Sequence, residues 1–234
     1  MRMSVRLLAV WLLIGAVPLA LGAGPAAATD WVEGTNYEVL QNPQPTSVPA
    51  GKVEVTEVFS YACPACNAFY PTVDKLRASL PPGAVLDFVS AAFIPSEDWP
   101  MFQRAYYTAL LLGLVNPRTH DAMFNAVWKT GELAVADPKT DRLIQPPPGI
   151  EDAAKFYAHQ SGVSAQKFID ASNSFGVVTR MREADQYIKD CQVDQTPTII
   201  VNGKYRLTPQ TAGGYTQLIE LVKYLVAKEQ HHGG

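Results

Sequence analysis

Two cysteines separated by two residues, in the motif Cys63-Pro64-Ala65-Cys66, are the part of this 234-residue sequence with the clearest potential for chemistry. Their spacing allows the two thiols to close a small disulfide ring. If the motif opens a helix, unpaired backbone N–H groups and the positive end of the helix dipole stabilise a thiolate on Cys63 and lower its pKa. Pro64 suits an early helical position, because its missing N–H would be unpaired there. The motif therefore predicts thiol–disulfide exchange.

Two other roles for this cysteine pair, a zinc site and a structural disulfide, fit the sequence less well. Zinc needs further ligands, and neither the third cysteine, Cys191, nor the four histidines show the spacing that zinc sites use. A disulfide that closes so short a loop would add little stability, since the stabilisation grows with the length of the loop. We therefore expect a redox pair, and no metal site.

A second candidate feature is the dipeptide Thr196-Pro197, which directly precedes the apolar segment Thr198–Val201. A proline is allowed at the first residue of a strand, and the dipeptide could be no more than that. The alternative is a cis peptide bond opposite the cysteine pair, where a proline without an N–H leaves the neighbouring edge free to pair with a substrate chain. Because the dipeptide follows a CxxC unit and precedes a hairpin, the sequence favours the cis bond.

The segments around the cysteine pair predict the elements that must position it. Residues 53–60 are rich in β-branched and aromatic side chains, which is typical of a buried strand. After Cys66 the apolar residues recur at helical spacing until Pro81 and Pro82 end the run, and residues 85–92 predict a second strand. The order of strand, CxxC, helix and strand predicts a βαβ unit.

The rest of the chain divides into a helical middle and an end that contains strands. Residues 97–190 predict four or five amphipathic helices, over 101–115, 120–129, 150–160, 164–175 and 177–190. Thr198–Val201 and residues 205–207 then predict a hairpin around an Asn202-Gly203 turn, followed by a helix over 215–228. This order predicts an α/β domain, residues 29–96 and 191–230, that is interrupted by an all-helical insertion over residues 97–190. Residues 231–234 are predicted to form a disordered tail.

The first 28 residues have the layout of a secretory signal peptide. Residues 1–6 carry two arginines, residues 7–21 are almost wholly apolar, and three alanines at 26–28 offer a cleavage site. A retained membrane anchor is less favoured, because the apolar run is short and contains Pro18. Cleavage after residue 28 would remove two of the 19 Lys and Arg residues and none of the 22 Asp and Glu residues, which leaves 17 basic against 22 acidic side chains. A mildly acidic chain without a basic tract argues against a nucleic-acid partner.

Two stretches of the sequence resemble the DsbA family of bacterial periplasmic disulfide oxidases, which belongs to the thioredoxin superfamily. They are EVFSYACPACNAFYP, residues 57–71, and QTPTIIVNGKYRL, residues 195–207. The resemblance implies a thioredoxin-like domain with an inserted helical domain and a periplasmic location. It also implies that the Cys63–Cys66 disulfide passes to newly exported, unfolded proteins through a mixed disulfide, and that a membrane quinone-linked partner of the DsbB type restores it. No cofactor is implied for the chain itself, which is expected to be a monomer.

The resemblance assigns roles to individual residues. Cys63 would be the exposed nucleophile and Cys66 the resolving cysteine, while Pro64, Ala65, Thr196 and the cis Pro197 would contact the substrate. Glu57 matches a buried acid that can relay a proton to or from Cys66, although an ordinary solvated glutamate at a strand edge is the other interpretation. The chain departs from the best-known member in two ways: it has Ala65 in place of a histidine, and Phe88 or its neighbour in place of a lysine.

Two other functions remain open from the sequence. A reductase or isomerase of the same fold usually carries a dimerisation domain, and the short stretch between residue 28 and residue 53 leaves no room for one. A peptide-binding chaperone without redox activity would keep its function when Cys63 is replaced by serine. Cys191 could lie near the redox pair or pack as an inert thiol, and the second role is the commoner one for a lone cysteine.

Overall fold

The computed structural model describes residues 30–140 and 142–232, so the predicted signal peptide lies outside the described residues. Residues from Trp31 onward form one compact unit. Its strands are β1 (Glu38–Val39), β2 (Val53–Phe59), β3 (Ala84–Ser90), β4 (Thr198–Val201) and β5 (Tyr205–Leu207). Its α-helices are α1 (Pro64–Ser79), α2 (Trp99–Leu111), α3 (Pro117–Trp128), α4 (Ile150–Ser161), α5 (Ala165–Ser172), α6 (Phe175–Asp190), α7 (Pro209–Ala212) and α8 (Tyr215–His232).

The five strands form one mixed sheet in the order β1-β5-β4-β2-β3. Strand β2 is parallel to β3 and antiparallel to β4, so it is paired along both edges. Every residue of β2 is buried, which agrees with its β-branched and aromatic composition. The parallel β2–α1–β3 unit confirms the predicted βαβ arrangement and places the start of α1 shortly after a fully buried strand of the sheet.

Five helices, α2 to α6, lie between β3 and β4 in the chain, as the helical spacing of that region predicts. Side-chain caps fix the starts of three of them, α3, α5 and α6. Asn116 forms a capping box with Thr119 at the start of α3, and Ser164 and Ser174 accept backbone N–H bonds at the starts of α5 and α6. The fold is therefore a thioredoxin-like α/β domain with a helical insertion, while the exact domain boundaries stay a prediction.

The hairpin between β4 and β5 turns at Asn202 and Gly203, which both have positive φ angles, 55° and 62°. A side chain at Gly203 would collide with the carbonyl oxygen of Gln44, because the backbone of residue 44 runs directly beside the turn. The Gln44 N–H donates to the Gly203 carbonyl at 2.8 Å. Glycine is thus required here by both the turn and the close approach of a second chain segment.

The predicted disordered tail is wrong at its first two positions. Helix α8 continues to His232, because no helix breaker precedes Gly233 and the polar residues after Lys228 tolerate a helical backbone. Residues 233 and 234 lie outside the described residues. Within the part of the chain that the structure describes, no helix has both the length and the apolar character needed to cross a membrane.

Candidate active site

Cys63 is the N-cap residue of α1, with extended backbone angles of φ −81° and ψ 118°. Its sulfur accepts a hydrogen bond from the backbone N–H of Cys66 at 3.2 Å. Pro64 occupies the first turn of the helix, as its missing N–H predicts. Both cysteines are free thiols, so the structure describes the reduced form of the pair. The sulfur of Cys63 therefore occupies the position in which a helix start stabilises an anion.

The second sequence feature lies against the first. The peptide bond between Thr196 and Pro197 is cis, as predicted. The Cys63 Sγ lies 3.5 Å from the carbonyl oxygen of Thr196, to which it donates a hydrogen bond when it is protonated. These two residues are 133 positions apart in the chain. The sheet makes this possible, because β2 leads into the cysteine pair and β4, its antiparallel neighbour, begins directly after Pro197.

The two thiols of the pair have opposite acidities. The pKa of Cys63 is lowered from 9.0 to about 6, chiefly because the Cys66 thiol donates to its sulfur. Burial opposes this shift, while hydrogen bonds from the Thr196 side chain and from the backbone N–H groups of Cys66 and Ala65 add to it. The pKa of Cys66 is raised well above its usual value, first by burial and then by its bond to the Cys63 sulfur. At neutral pH Cys63 is therefore a thiolate, whereas Cys66 keeps its proton.

Cys63 is less accessible than the family resemblance implies. The residue is only 4 % exposed, so the expectation of an exposed nucleophile is wrong for this reduced form. Its sulfur is covered by the Thr196 carbonyl on one side and the first turn of α1 on the other. Pro64 and Ala65, which we predicted to contact the substrate, are both exposed. A substrate would therefore contact these two residues before it reaches the largely buried sulfur.

Glu57 lies in the middle of β2 and is 2 % exposed, so the interpretation as a solvated strand-edge residue is wrong. Because β2 is paired on both sides, the side chain has no route to solvent along an edge. Its Oε2 atom has no hydrogen-bond partner among the described residues. The pKa of Glu57 is raised to about 8, first by burial and then by the negative charge of Cys63, while the positive charge of Arg77 opposes the shift. At neutral pH this carboxyl group holds a proton close to the redox pair.

The neighbour of Glu57 in β3 is Phe88, which confirms that an aromatic residue occupies the position considered for a lysine. A positive charge that acts on Glu57 comes from α1. The Arg77 guanidinium lies over the Phe88 ring, 5.9 Å from its centroid, and also pairs with Asp74 one turn earlier in α1. Arg77 was missed in the sequence analysis, where its place in the last turn of α1 gave no sign of a charge near Glu57.

A polar chain beneath the loop before Cys63 was also missed. The Trp128 Nε1–H donates to the Tyr61 carbonyl at 2.7 Å, and the Tyr61 hydroxyl lies 2.8 Å from the His120 Nδ1. His120 is 5 % exposed, and burial lowers its pKa to about 3, so it is neutral. These contacts tie helix α3 to the residue two positions before Cys63. No sequence pattern predicted them, because a lone histidine on an apolar helix face is usually a core residue.

Cys191 is the C-cap residue of α6 and is fully buried. Burial raises its pKa to about 11. A buried, protonated thiol is a poor nucleophile, so these features agree with the interpretation of Cys191 as an inert packing residue. Within residues 30–140 and 142–232, no cluster of three His, Cys, Asp or Glu side chains is arranged to hold a metal ion.

Comparison with known proteins connects this geometry to a family. The model of the protein family described as Thioredoxin matches residues 48–221. A protein of Burkholderia cepacia named thiol:disulfide interchange protein DsbA is 32 % identical over 212 residues, which cover 91 % of this chain and 92 % of the relative. The protein of the same name from Pseudomonas aeruginosa is 35 % identical over 205 residues, 88 % of this chain and 89 % of the relative.

Solved structures agree with the sequence relatives. The crystal structure of Pseudomonas aeruginosa DsbA superposes with a TM-score of 0.72 at 33 % identity, covering 88 % of this chain and 97 % of that one. The oxidoreductase DsbA of Xylella fastidiosa superposes with a TM-score of 0.74 at 32 % identity, covering 86 % of this chain and 98 % of that one.

Proposed function

Since the chain belongs to the DsbA family of thiol:disulfide oxidoreductases, we propose that it works as an oxidase that transfers the Cys63–Cys66 disulfide to newly exported, unfolded proteins. Residues 1–28 would direct export to the periplasm, and residues 97–190 would form the helical insertion of a domain made from residues 29–96 and 191–230. The observation that carries the proposal is the position of the Cys63 sulfur at the N-cap of α1, with a pKa of about 6.

The lowered pKa of Cys63 favours transfer in the oxidising direction. A thiol with a pKa of about 6 is roughly 90 % ionised at pH 7, which stabilises the reduced pair by about 1.4 kcal/mol, equivalent to about 30 mV for a two-electron couple. Stabilising the reduced form makes the disulfide a stronger oxidant. The low pKa also makes Cys63 a good leaving group, which speeds the release of the oxidised substrate.

The proposed cycle uses two exchange steps. A substrate thiolate attacks the Cys63 sulfur of the oxidised pair, the Cys63–Cys66 bond breaks, and Cys66 leaves as a thiolate that takes up a proton. A second substrate thiolate then attacks the substrate sulfur of the mixed disulfide, and Cys63 leaves as a stable thiolate. The substrate has lost two electrons and the enzyme has gained them. A membrane quinone-linked partner of the DsbB type would accept those electrons and restore the disulfide.

Glu57 is the proposed donor of the proton that Cys66 takes up. Its carboxyl group is protonated at pH 7, because its pKa is about 8. Once Glu57 has given up this proton, its negative charge adds to the burial and the influence of Cys63 that raise the pKa of Cys66. The unpartnered Oε2 keeps the group free to exchange a proton, directly or through a water molecule. Thr196 and Pro197 would guide the substrate chain past Cys63.

Trapping experiments test the roles of the two cysteines. With Cys63 first joined to glutathione by exchange with glutathione disulfide, the Cys66→Ser variant should release glutathione to an unfolded substrate protein that has a single cysteine and accumulate the mixed disulfide with that substrate. Cys63→Ser treated in the same way should form none. Equilibration of the wild-type protein in glutathione buffers then tests the direction. A potential near the roughly −270 mV of thioredoxin would contradict the oxidase and favour a reductase. Full function of Cys63→Ser in protecting an unfolded protein would instead favour the chaperone without redox activity.

A further inference from the structure

A cavity of about 570 Å³ lies beside the redox pair. Two of its lining residues, Ala62 and Pro64, are the immediate chain neighbours of Cys63. Consecutive Cα atoms are about 3.8 Å apart, so the mouth of the cavity begins within one residue of the nucleophile. Thr196 and Pro197 are not among its lining residues. The cavity therefore does not extend to the cis-proline segment. Its volume is within the roughly 300–1,000 Å³ that is usual for pockets that hold small ligands.

Apolar side chains form much of the lining of this pocket. Val127, Trp128 and Val135 line it together with Leu143, which is 42 % exposed at the rim. The only hydrogen-bonding group of the Trp128 side chain is already used, because its Nε1–H donates to the Tyr61 carbonyl. The indole ring therefore has no polar group left to offer a ligand. Such walls favour an apolar ligand whose gain comes from leaving water.

The outer wall of the pocket is held in place by backbone pairing. Residues 136 and 143 form an antiparallel bridge, and the Ile144 N–H donates to the Val135 carbonyl at 2.9 Å. The Asp137 carboxylate also accepts the N–H groups of Lys139 and Thr140, at 2.8 Å and 3.0 Å. The pocket is thus formed before a ligand arrives, which lowers the entropy that binding must overcome.

We propose that this pocket holds one aromatic or branched aliphatic side chain of the substrate polypeptide, close in sequence to the reacting cysteine. The proposal rests on the proposed function, since that function brings an extended, unfolded chain to Cys63. Neighbouring residues of an extended chain are about 3.3 Å apart along its axis, so a residue one to three positions from the cysteine reaches the mouth of the pocket. The lining charges, Glu97, Lys129 and Asp137, are of both signs and do not favour a charged ligand of either kind.

Oxidation of short peptides tests this assignment. Each reduced peptide carries a cysteine pair in a glycine and serine background, with one phenylalanine placed before or after the attacking cysteine or left out. The assay measures the second-order rate of reaction with the oxidised protein. We expect phenylalanine on one side of the cysteine only to raise the rate, by about tenfold, which is the scale of burying part of an aromatic ring.

Substitutions at two equally exposed leucines test whether the pocket causes the phenylalanine preference. Leu143→Lys places a charge at the rim of the pocket, and it should reduce the phenylalanine preference to about one. Leu111→Lys is the matched control, because Leu111 is also 42 % exposed but lies in α2 outside the pocket. This control should keep the full preference. Both substituted side chains are partly solvated, so neither change threatens folding.

The outcomes separate the pocket from the redox chemistry. Wild-type protein that fails to oxidise dithiothreitol would contradict the proposed function itself. Oxidation of dithiothreitol without a preference among the peptides would contradict only the pocket, as would an equal gain from phenylalanine on both sides of the cysteine. Retention of the preference in Leu143→Lys would also overturn the assignment, and loss of it in that variant alone would support it.

Discussion

Replacing Glu57 by glutamine should make the reduced protein more stable at neutral pH. Burial raises the pKa of Glu57 from 4.5 to about 8, so between these pH values the unfolded chain has released a proton that the folded protein still holds. The folded protein then loses about 1.4 kcal/mol of stability for each pH unit above 4.5, which amounts to about 3 kcal/mol at pH 7. Glutamine has nearly the same shape and does not titrate, so it removes this cost.

Urea unfolding of the reduced proteins at several pH values measures the effect. The difference in unfolding free energy between Glu57→Gln and wild type should grow by about 3 kcal/mol between pH 4 and pH 7 and level off above pH 8. The cost of burying the amide does not depend on pH, so the slope is the diagnostic quantity. In the oxidised protein Cys63 carries no charge, so the pKa of Glu57 should be lower than in the reduced protein. The stability difference between Glu57→Gln and wild type should then stop growing at a lower pH.

A second buried glutamate of the same strand provides the control. Glu54 is 4 % exposed, but its carboxylate accepts hydrogen bonds from the backbone and hydroxyl of Ser47 and from the Thr56 hydroxyl. Glu54→Gln should therefore destabilise the protein at pH 7, by about 1–3 kcal/mol. A stability difference between Glu57→Gln and wild type that stays the same from pH 4 to pH 8 would refute the reasoning, because it would mean that Glu57 ionises at its ordinary pKa.

Three more predictions concern the site and its support. The thiolate absorbance of the reduced protein at 240 nm should rise with a midpoint near pH 6. The reduced Glu57→Gln variant, which lacks the opposing titration of Glu57, should lose unfolding free energy as the pH falls from 9 to 6, because the lowered pKa of Cys63 favours the folded state only where Cys63 is ionised. Mass spectrometry after alkylation of the native protein at pH 8 should find Cys191 unlabelled, since it is fully buried; labelling at the rate of a free thiol would contradict this. Trp128→Phe should lower the unfolding free energy by about 1–2 kcal/mol in urea titrations, because it leaves the Tyr61 carbonyl without its donor; an unchanged value would mean that the bond contributes nothing.

Much of the fold follows from local patterns in the sequence. The strand before the cysteine pair, the helix that begins at it and the hairpin after Pro197 all depend on side chains within a few positions of one another, and all three were predicted. The end of α8 was not, because a short polar run of residues 229–232 carries no signal that distinguishes a last helical turn from a tail.

The details of the site depend on contacts between distant segments, which one sequence does not reveal. The low exposure of Cys63 results from Thr196, which the antiparallel pairing of β2 and β4 brings into contact with it. Glu57 is buried because β2 lies between two other strands of the sheet. The sequence pattern of β2 itself does not determine that the strand is central. Arg77 and Trp128 act on the site from α1 and α3, and only the packing of these helices shows it.

The unequal acidities of the two thiols also fix how many protons accompany the electrons. Above pH 6, reduction of the Cys63–Cys66 pair delivers two electrons but only one proton, since Cys66 is protonated and Cys63 is not. The midpoint potential should then fall by about 30 mV per pH unit, and by about 59 mV below pH 6, where both sulfurs take up protons. Above pH 6, a fall in pH would therefore change the midpoint potential of this protein less steeply than that of a dithiol whose two sulfurs have the same, ordinary pKa. Below pH 6, where Cys63 is protonated, the two would respond alike.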